Sequence, residues 1–148
     1  MKKVLFVCIH NSARSQMAEG FLNALGHGHF VAESAGIEKG VLNPLVVKAM
    51  METGIDISMH QTKEAATLIE HGKTYDAVVT VCDEASAEKC PVFPGKSKRI
   101  AWYFNDPSQF TGTEEEKLQQ IRPIRDEIKA SVERFIKEAG DPAFWNVN

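Results

Sequence analysis

Cys8 and Arg14 bracket the stretch "CIHNSAR", and Ser15 follows directly. A cysteine sulfur is a nucleophile, and a guanidinium is a planar, two-pronged donor suited to the oxygens of a tetrahedral anion. The residues between them, Ile9, His10, Asn11, Ser12 and Ala13, are mostly small or polar. An apolar run ends before them and a helical pattern begins after them. Successive backbone N–H groups from Ile9 to Ser15 can therefore turn inward on an anion, while the helix dipole adds partial positive charge. Asn11 and Ser12 can tie the loop to its own backbone, and Ser15 can hydrogen-bond the sulfur. A thiol at a helix N-terminus beside an arginine is favoured as the thiolate near neutral pH. A cysteine that merely filled a core would not need this polar turn. The stretch reads as an oxyanion-binding loop with a nucleophile built in.

Apolar and helical patterns on either side supply the elements that would position this loop. Val4 to Val7 predicts a short buried strand, Ser15 to Leu25 a helix closed by Gly26, and Phe30 to Ile37 a second strand. Asn43-Pro44 opens a helix with Val46, Val47, Met50 and Met51 at helical spacing, stopped by Gly54. Thr62 to His71 predicts another, ended by Gly72. "DAVVTVC", Asp76 to Cys82, is a third strand, almost continuously apolar as when both sheet faces are covered. "RIAWYF", Arg99 to Phe104, is a fourth. Thr113 with Glu116 fits a capping box at the head of a long helix. Leu118, Ile121, Ile124, Ile128, Val132 and Phe135 form its buried stripe, and Pro123 should kink or divide it.

Strands alternating with helices predict an α/β fold, a parallel sheet with helices on both faces. Ligands of such sheets gather beyond the carboxyl ends of the strands. Cys8 follows the first strand, Cys82 ends the third and Asp106 lies past the fourth, so topology brings all three to one edge.

A chain of 148 residues suits one domain over 1–148. A net charge of −3 gives no field for nucleic acid or anionic membranes, and no stretch has the length of a membrane span. The apolar run after the N-terminal lysines is too short for a secretory signal. Three cysteines without such a signal fit a reducing cytoplasm and free thiols. His27-Gly28-His29 lacks converging acidic or cysteine ligands, so no metal site is expected there.

"CIHNSARSQMAEGF", "ESAGI", "GIDISMHQTK", "VVTVCDEASAEKCP" and "WYFNDP" together resemble the arsenate reductases built on the low-molecular-weight tyrosine phosphatase fold. The resemblance runs from Val4 to about Ile136. It implies a four-stranded parallel sheet flanked by helices, a flavodoxin-like three-layer arrangement, with the Cys8 to Arg14 turn as oxyanion loop. It also implies reduction of arsenate to arsenite for arsenic detoxification, thioredoxin as reductant, phosphate or sulfate as competing anions, a monomer, and no cofactor.

Arsenate and phosphate share shape and charge, so the loop alone does not choose between reductase and phosphatase. Arsenic passes from +5 to +3 with thiol electrons and phosphorus does not. If the first and third strands are neighbours, their axes lie about 5 Å apart, and Cys8 and Cys82 can meet after a modest loop movement. Cys90 lies eight residues further on, beyond the polar "DEASAEK". The expected sequence has the Cys8 thiolate attack arsenic, Arg14 and the loop amides stabilise charge, and Asp106 protonate the departing oxygen. Cys82 then takes the oxidation from Cys8, and Cys90 from Cys82.

Two other readings compete. One is a low-molecular-weight phosphatase that hydrolyses phosphomonoesters through a Cys8 phosphoenzyme with Asp106 as general acid. Ser108-Gln109-Phe110 stand where the eukaryotic-type phosphatases carry two tyrosines, which argues against phosphotyrosine. The other is a non-catalytic thiol module, which would need neither Arg14 nor Asp106. Some relatives hold a potassium ion near the loop, and Asn11, Glu19 and Ser34 match three of its ligands. Lys63 matches the fourth, so its ammonium is expected in place of the cation, with no potassium dependence.

Overall fold

Val4, Leu5, Phe6 and Val7 are all fully buried, which a strand achieves only when both faces of its sheet are covered. Alternate residues serve opposite faces. Val4, Phe6 and Cys8 join one apolar cluster, while Leu5 and Val7 join another. The computed structural model describes residues 1–82 and 91–146. Its strands are β1 (Lys2–Cys8), β2 (Phe30–Gly36), β3 (Ala77–Thr80) and β4 (Lys98–Ala101), all parallel, in the order β2-β1-β3-β4. The helices are α1 (Arg14–Leu25), α2 (Pro44–Met51), α3 (Ala65–Glu70) and α4 (Glu114–Glu138), with 3₁₀ turns at Pro107–Gln109 and Pro142–Trp145. Met17 and Phe21 of α1, Val46 and Met50 of α2 and the stripe of α4 build the first cluster. Ala65 and Leu68 of α3, with Tyr75 and Phe93, build the second. This is the expected three-layer α/β arrangement.

The differences from expectation are local. α3 begins at Ala65 rather than Thr62, because the residues before it are committed elsewhere. Thr62 Oγ1 donates to the Gly40 carbonyl at 2.7 Å, Lys63 N to Asn11 Oδ1 at 3.1 Å, and the Lys63 carbonyl accepts from Gly36 N at 2.8 Å. β4 stops at Ala101, short of the expected Phe104. The capping box of α4 is present, with Glu116 N donating to Thr113 Oγ1 at 3.2 Å. Pro123 does not divide α4. It lies on the exposed side, and so does Gln119, whose carbonyl loses its i+4 donor. After α4 the chain turns back: Phe144 and Trp145 pack edge-on against Phe135, with centroids 5.5 and 6.1 Å away. No helix among the described residues is long and apolar enough to cross a membrane.

Candidate active site

From β1 the chain crosses to β2 on one side and later returns to β3 on the other, so the sheet's switch point lies between β1 and β3. Val81 N donates to the Val7 carbonyl at 2.8 Å, extending that pairing to the last residue before each of two cysteines. Cys8 ends β1 and Cys82 lies two residues past β3, both buried. Cys90 falls outside the described residues.

The loop after Cys8 is held from outside by the segment leaving β2. Ile37 N donates to the Cys8 carbonyl at 2.9 Å, Glu38 N to that of Ile9 at 2.8 Å, and Asn43 N to that of Ser12 at 2.9 Å. In a trans peptide the N–H points opposite to the carbonyl. Turning these three carbonyls outward therefore directs the N–H groups of Ile9, His10 and Ala13 inward. β2 comes this close because it ends in glycine: a Cβ on Gly36 would lie 2.8 Å from Asn11 N. α1 starts at Arg14 with no side-chain cap and no acidic residue in its first turn. Asn43 and Thr113 cap α2 and α4, whereas α1 opens on the loop without a side-chain cap, its N–H groups available to an anion.

Asn11 takes a left-handed φ of 55°, tolerable for asparagine, and its buried side chain organises the interior. Its Nδ2 donates to Ser15 Oγ at 2.8 Å and to Ser34 Oγ at 2.9 Å. Ser34 in turn donates to Glu19 Oε1 at 2.7 Å, and Ser15 Oγ lies 2.9 Å from Cys8 Sγ. Gln16 Nε2 bonds the carbonyls of Asn11 and Gln61 at 3.1 and 3.2 Å. A donor chain thus runs from the nucleophile candidate to a nearly buried carboxylate. Ser12 is half-buried, Ala13 buried and His10 exposed.

Arg14 is 3% exposed, yet its guanidinium is fixed by groups from beyond β4. Nη1 donates to the Phe104 carbonyl at 3.0 Å and Nη2 lies 3.6 Å from Asp106 Oδ2. The other Asp106 oxygen accepts from Ser108 N at 2.9 Å, capping the 3₁₀ turn. Asp106 meets Arg14 as the topology predicted.

Lys63 does not play the part expected of it. Its backbone, not its ammonium, meets Asn11. It is His60 that lies against Glu19, Nδ1 to Oε2 at 3.1 Å, with Gln16 Oε1 2.9 Å from the same nitrogen. Both Glu19 oxygens and Asn11 Oδ1 thus each face a protein donor. Among the described residues no three His, Cys, Asp or Glu side chains converge as a metal site, and His27 and His29 are exposed. Sequence reading gave no role to His60, Gln16, Glu38 or the Phe104 carbonyl. A histidine two residues before Thr62 carries no local sign that it faces α1.

A parallel sheet with a loop at its switch point that runs from a buried cysteine to a buried arginine defines the class. The chain belongs to the low-molecular-weight phosphotyrosine protein phosphatase family, whose model matches residues 3–141. Within that family it is 45% identical to an arsenate reductase of Bacillus licheniformis, over 90% of this chain and 94% of the relative. A solved arsenate reductase in its phosphate-binding state superposes with a TM-score of 0.74 at 33% identity, covering 93% of this chain and 98% of that one. The low-molecular-weight protein tyrosine phosphatase of T. tengcongensis gives 0.75 at 25% identity, covering 93% and 99%. A thioredoxin-dependent arsenate reductase of Corynebacterium glutamicum gives 0.61 at 25% identity, covering 90% of this chain and 62% of that one.

Proposed function

We propose that this chain, as a single domain over residues 1–148, reduces arsenate to arsenite in the cytoplasm by a relay of three thiols. Arsenate enters the loop, where the N–H groups from Ile9 to Ser15 and the Arg14 guanidinium hold its oxygens. The Cys8 sulfur attacks arsenic, and one arsenate oxygen leaves as water with a proton from Asp106. Cys82 then attacks the Cys8 sulfur. The sulfur–arsenic bond breaks with its electron pair going to arsenic, which falls from +5 to +3 and departs as arsenite. Cys8 and Cys82 remain joined as a disulfide. Cys90 displaces Cys8 from Cys82, and thioredoxin, the reductant for this reading, reduces the Cys82–Cys90 bond. No resident cofactor is required, because the thiols carry the electrons.

The observation that supports the reading is that Cys8 ends β1 and Cys82 follows its parallel neighbour β3, at the sheet edge where Arg14 pairs with Asp106. Hydrolysis needs one nucleophile and an acid; a second sulfur there is what reduction adds. The arsenate reductases among the relatives support the same choice. Because Cys8, Arg14 and Asp106 would also serve phosphoester hydrolysis, some phosphatase activity accompanies this reading.

The test is arsenite production with thioredoxin, thioredoxin reductase and NADPH across three variants. Cys8→Ser should be inactive. Cys82→Ser should bind arsenate and release no arsenite. Cys90→Ser should stop after one turnover with Cys8 and Cys82 disulfide-linked. Steady turnover by Cys82→Ser would refute the relay, and turnover of phosphoesters alone would favour the phosphatase.

A further inference from the structure

Gln16 lies in the first turn of α1 and is fully buried, a place where methionine or leucine would fill the same space with no amide to satisfy. Its amide meets three partners. Nε2 donates to the Asn11 carbonyl at 3.1 Å and to the Gln61 carbonyl at 3.2 Å, and Oε1 lies 2.9 Å from His60 Nδ1. A carbonyl can only accept, so the nitrogen faces both carbonyls and the oxygen accepts from the imidazole. Both amide hydrogens are thereby used, one on the loop and one on the segment before α3. That segment also holds Asn11 by its side chain, through Lys63 N to Asn11 Oδ1 at 3.1 Å.

The carbonyls of Cys8, Ile9 and Ser12 take backbone N–H groups from Ile37, Glu38 and Asn43, and that of Ala13 takes Met17 N at 3.0 Å. Asn11 differs, because a side chain holds its carbonyl. The peptide concerned joins Asn11, with its left-handed φ of 55°, to Ser12. A trans peptide points its N–H opposite to its C=O, so it can offer an anion either a donor or a repelling oxygen. With the Asn11 carbonyl drawn to Gln16, Ser12 N–H points away from the buried amide, and no described residue accepts from it. We propose, on the reading of the loop as an anion site, that Gln16 is a positioning residue: it locks the Asn11–Ser12 peptide so that Ser12 N–H donates to a bound tetrahedral oxyanion. Gln16 does not itself touch the anion; it acts through that one peptide.

Sulfate is the probe, and the amide proton shifts of the reduced, full-length chain are the readout. Saturating sulfate should move the amide protons of Ile9, His10, Ser12 and Ala13 downfield, since hydrogen bonds to a charged acceptor are short and strong. Gln16→Met keeps the volume and removes both donors. It should abolish the movement at Ser12 and keep those at Ile9, His10 and Ala13, whose peptides are held from the segment leaving β2. Sulfate affinity should fall by about tenfold, as for one lost hydrogen bond to a charged group. Gln16→Asn, which draws the amide back by one carbon, should give the same result and serves if Gln16→Met does not fold. A Ser12 proton that still moves in full overturns the proposal and leaves the loop's anion role intact. Loss of all four movements together also overturns it, because Gln16 would then support the whole loop rather than one peptide. If sulfate moves no loop amide in the unsubstituted chain, the anion site itself is refuted, and the proposal with it.

Discussion

Ser15 Oγ lies 2.9 Å from Cys8 Sγ, and the same oxygen accepts an N–H from Asn11 at 2.8 Å. With one lone pair engaged by Asn11, the hydroxyl hydrogen is free to point at the sulfur, and a thiolate can only accept. A hydrogen bond to a charged partner stabilises by about 1.5–3 kcal/mol. Ser15→Ala should therefore slow alkylation of Cys8 by iodoacetamide at neutral pH by roughly tenfold or more. The rate is read in a background lacking Cys82 and Cys90. An unchanged rate would show that the serine only fills space.

His60 beside Glu19 leads to a second expectation. The imidazole occupies the carboxylate oxygen that a cation would need, while Ser34 holds the other. Turnover should then be the same in potassium and sodium chloride at equal ionic strength. Selective stimulation by potassium would show that the imidazole yields its place. His60→Ala removes a partner from a carboxylate that is 12% exposed, and should lower stability by about 1–3 kcal/mol in urea denaturation.

What the sequence reveals and conceals follows from the range of each interaction. Val4 to Val7 and Ala77 to Thr80 are legible as strands because continuous burial demands a continuous apolar run. Cys8, Arg14 and Ser15 are legible because one turn contains them. Topology then carries Asp106 to Arg14 across ninety-two residues, since the rule about strand ends needs only the order of elements. Individual long-range bonds leave no such trace. Nothing near Thr62 announces that its hydroxyl answers Gly40 or that Lys63 N answers Asn11. Those bonds shorten α3, and the same packing places His60 rather than Lys63 against Glu19.

Pro123 sits in the unbroken interior of α4, on its water-facing side. Its ring removes one helical hydrogen bond and crowds the preceding turn, a cost of about 3 kcal/mol in a helix interior. The buried stripe from Leu118 to Phe135 keeps the helix whole despite it. Pro123→Ala should recover part of that cost, offset by the freedom the unfolded chain regains. A rise of several degrees in melting temperature is expected, at roughly 2–4 °C per kcal/mol for a chain of this size. A fall would mean that the proline's fixed φ matters more to α4 than the bond it removes.

Glu52, just past α2, is gripped by two arginines of α4: Arg122 Nη2 at 2.8 Å and Arg125 Nη1 at 2.7 Å. Arg125 also donates to the Ala49 carbonyl at 2.9 Å, so the clamp joins backbone and side chain of α2 to α4. The hydrogen bonds from Arg122, then those from Arg125, hold the Glu52 carboxyl down from its ordinary 4.5 to about 2. Because folding lowers this group's affinity for protons, its contribution is fully present above pH 4.5 and is lost as the pH falls toward 2. The carboxylate is 38% exposed, so solvent screening limits that contribution to about 1 kcal/mol. Glu52→Gln should accordingly lower the melting temperature by about 2–4 °C at neutral pH. The difference between variant and wild type should shrink between about pH 4.5 and 2, and also on adding salt. A deficit that persists undiminished at pH 2 would assign the effect of the substitution to packing rather than to charge.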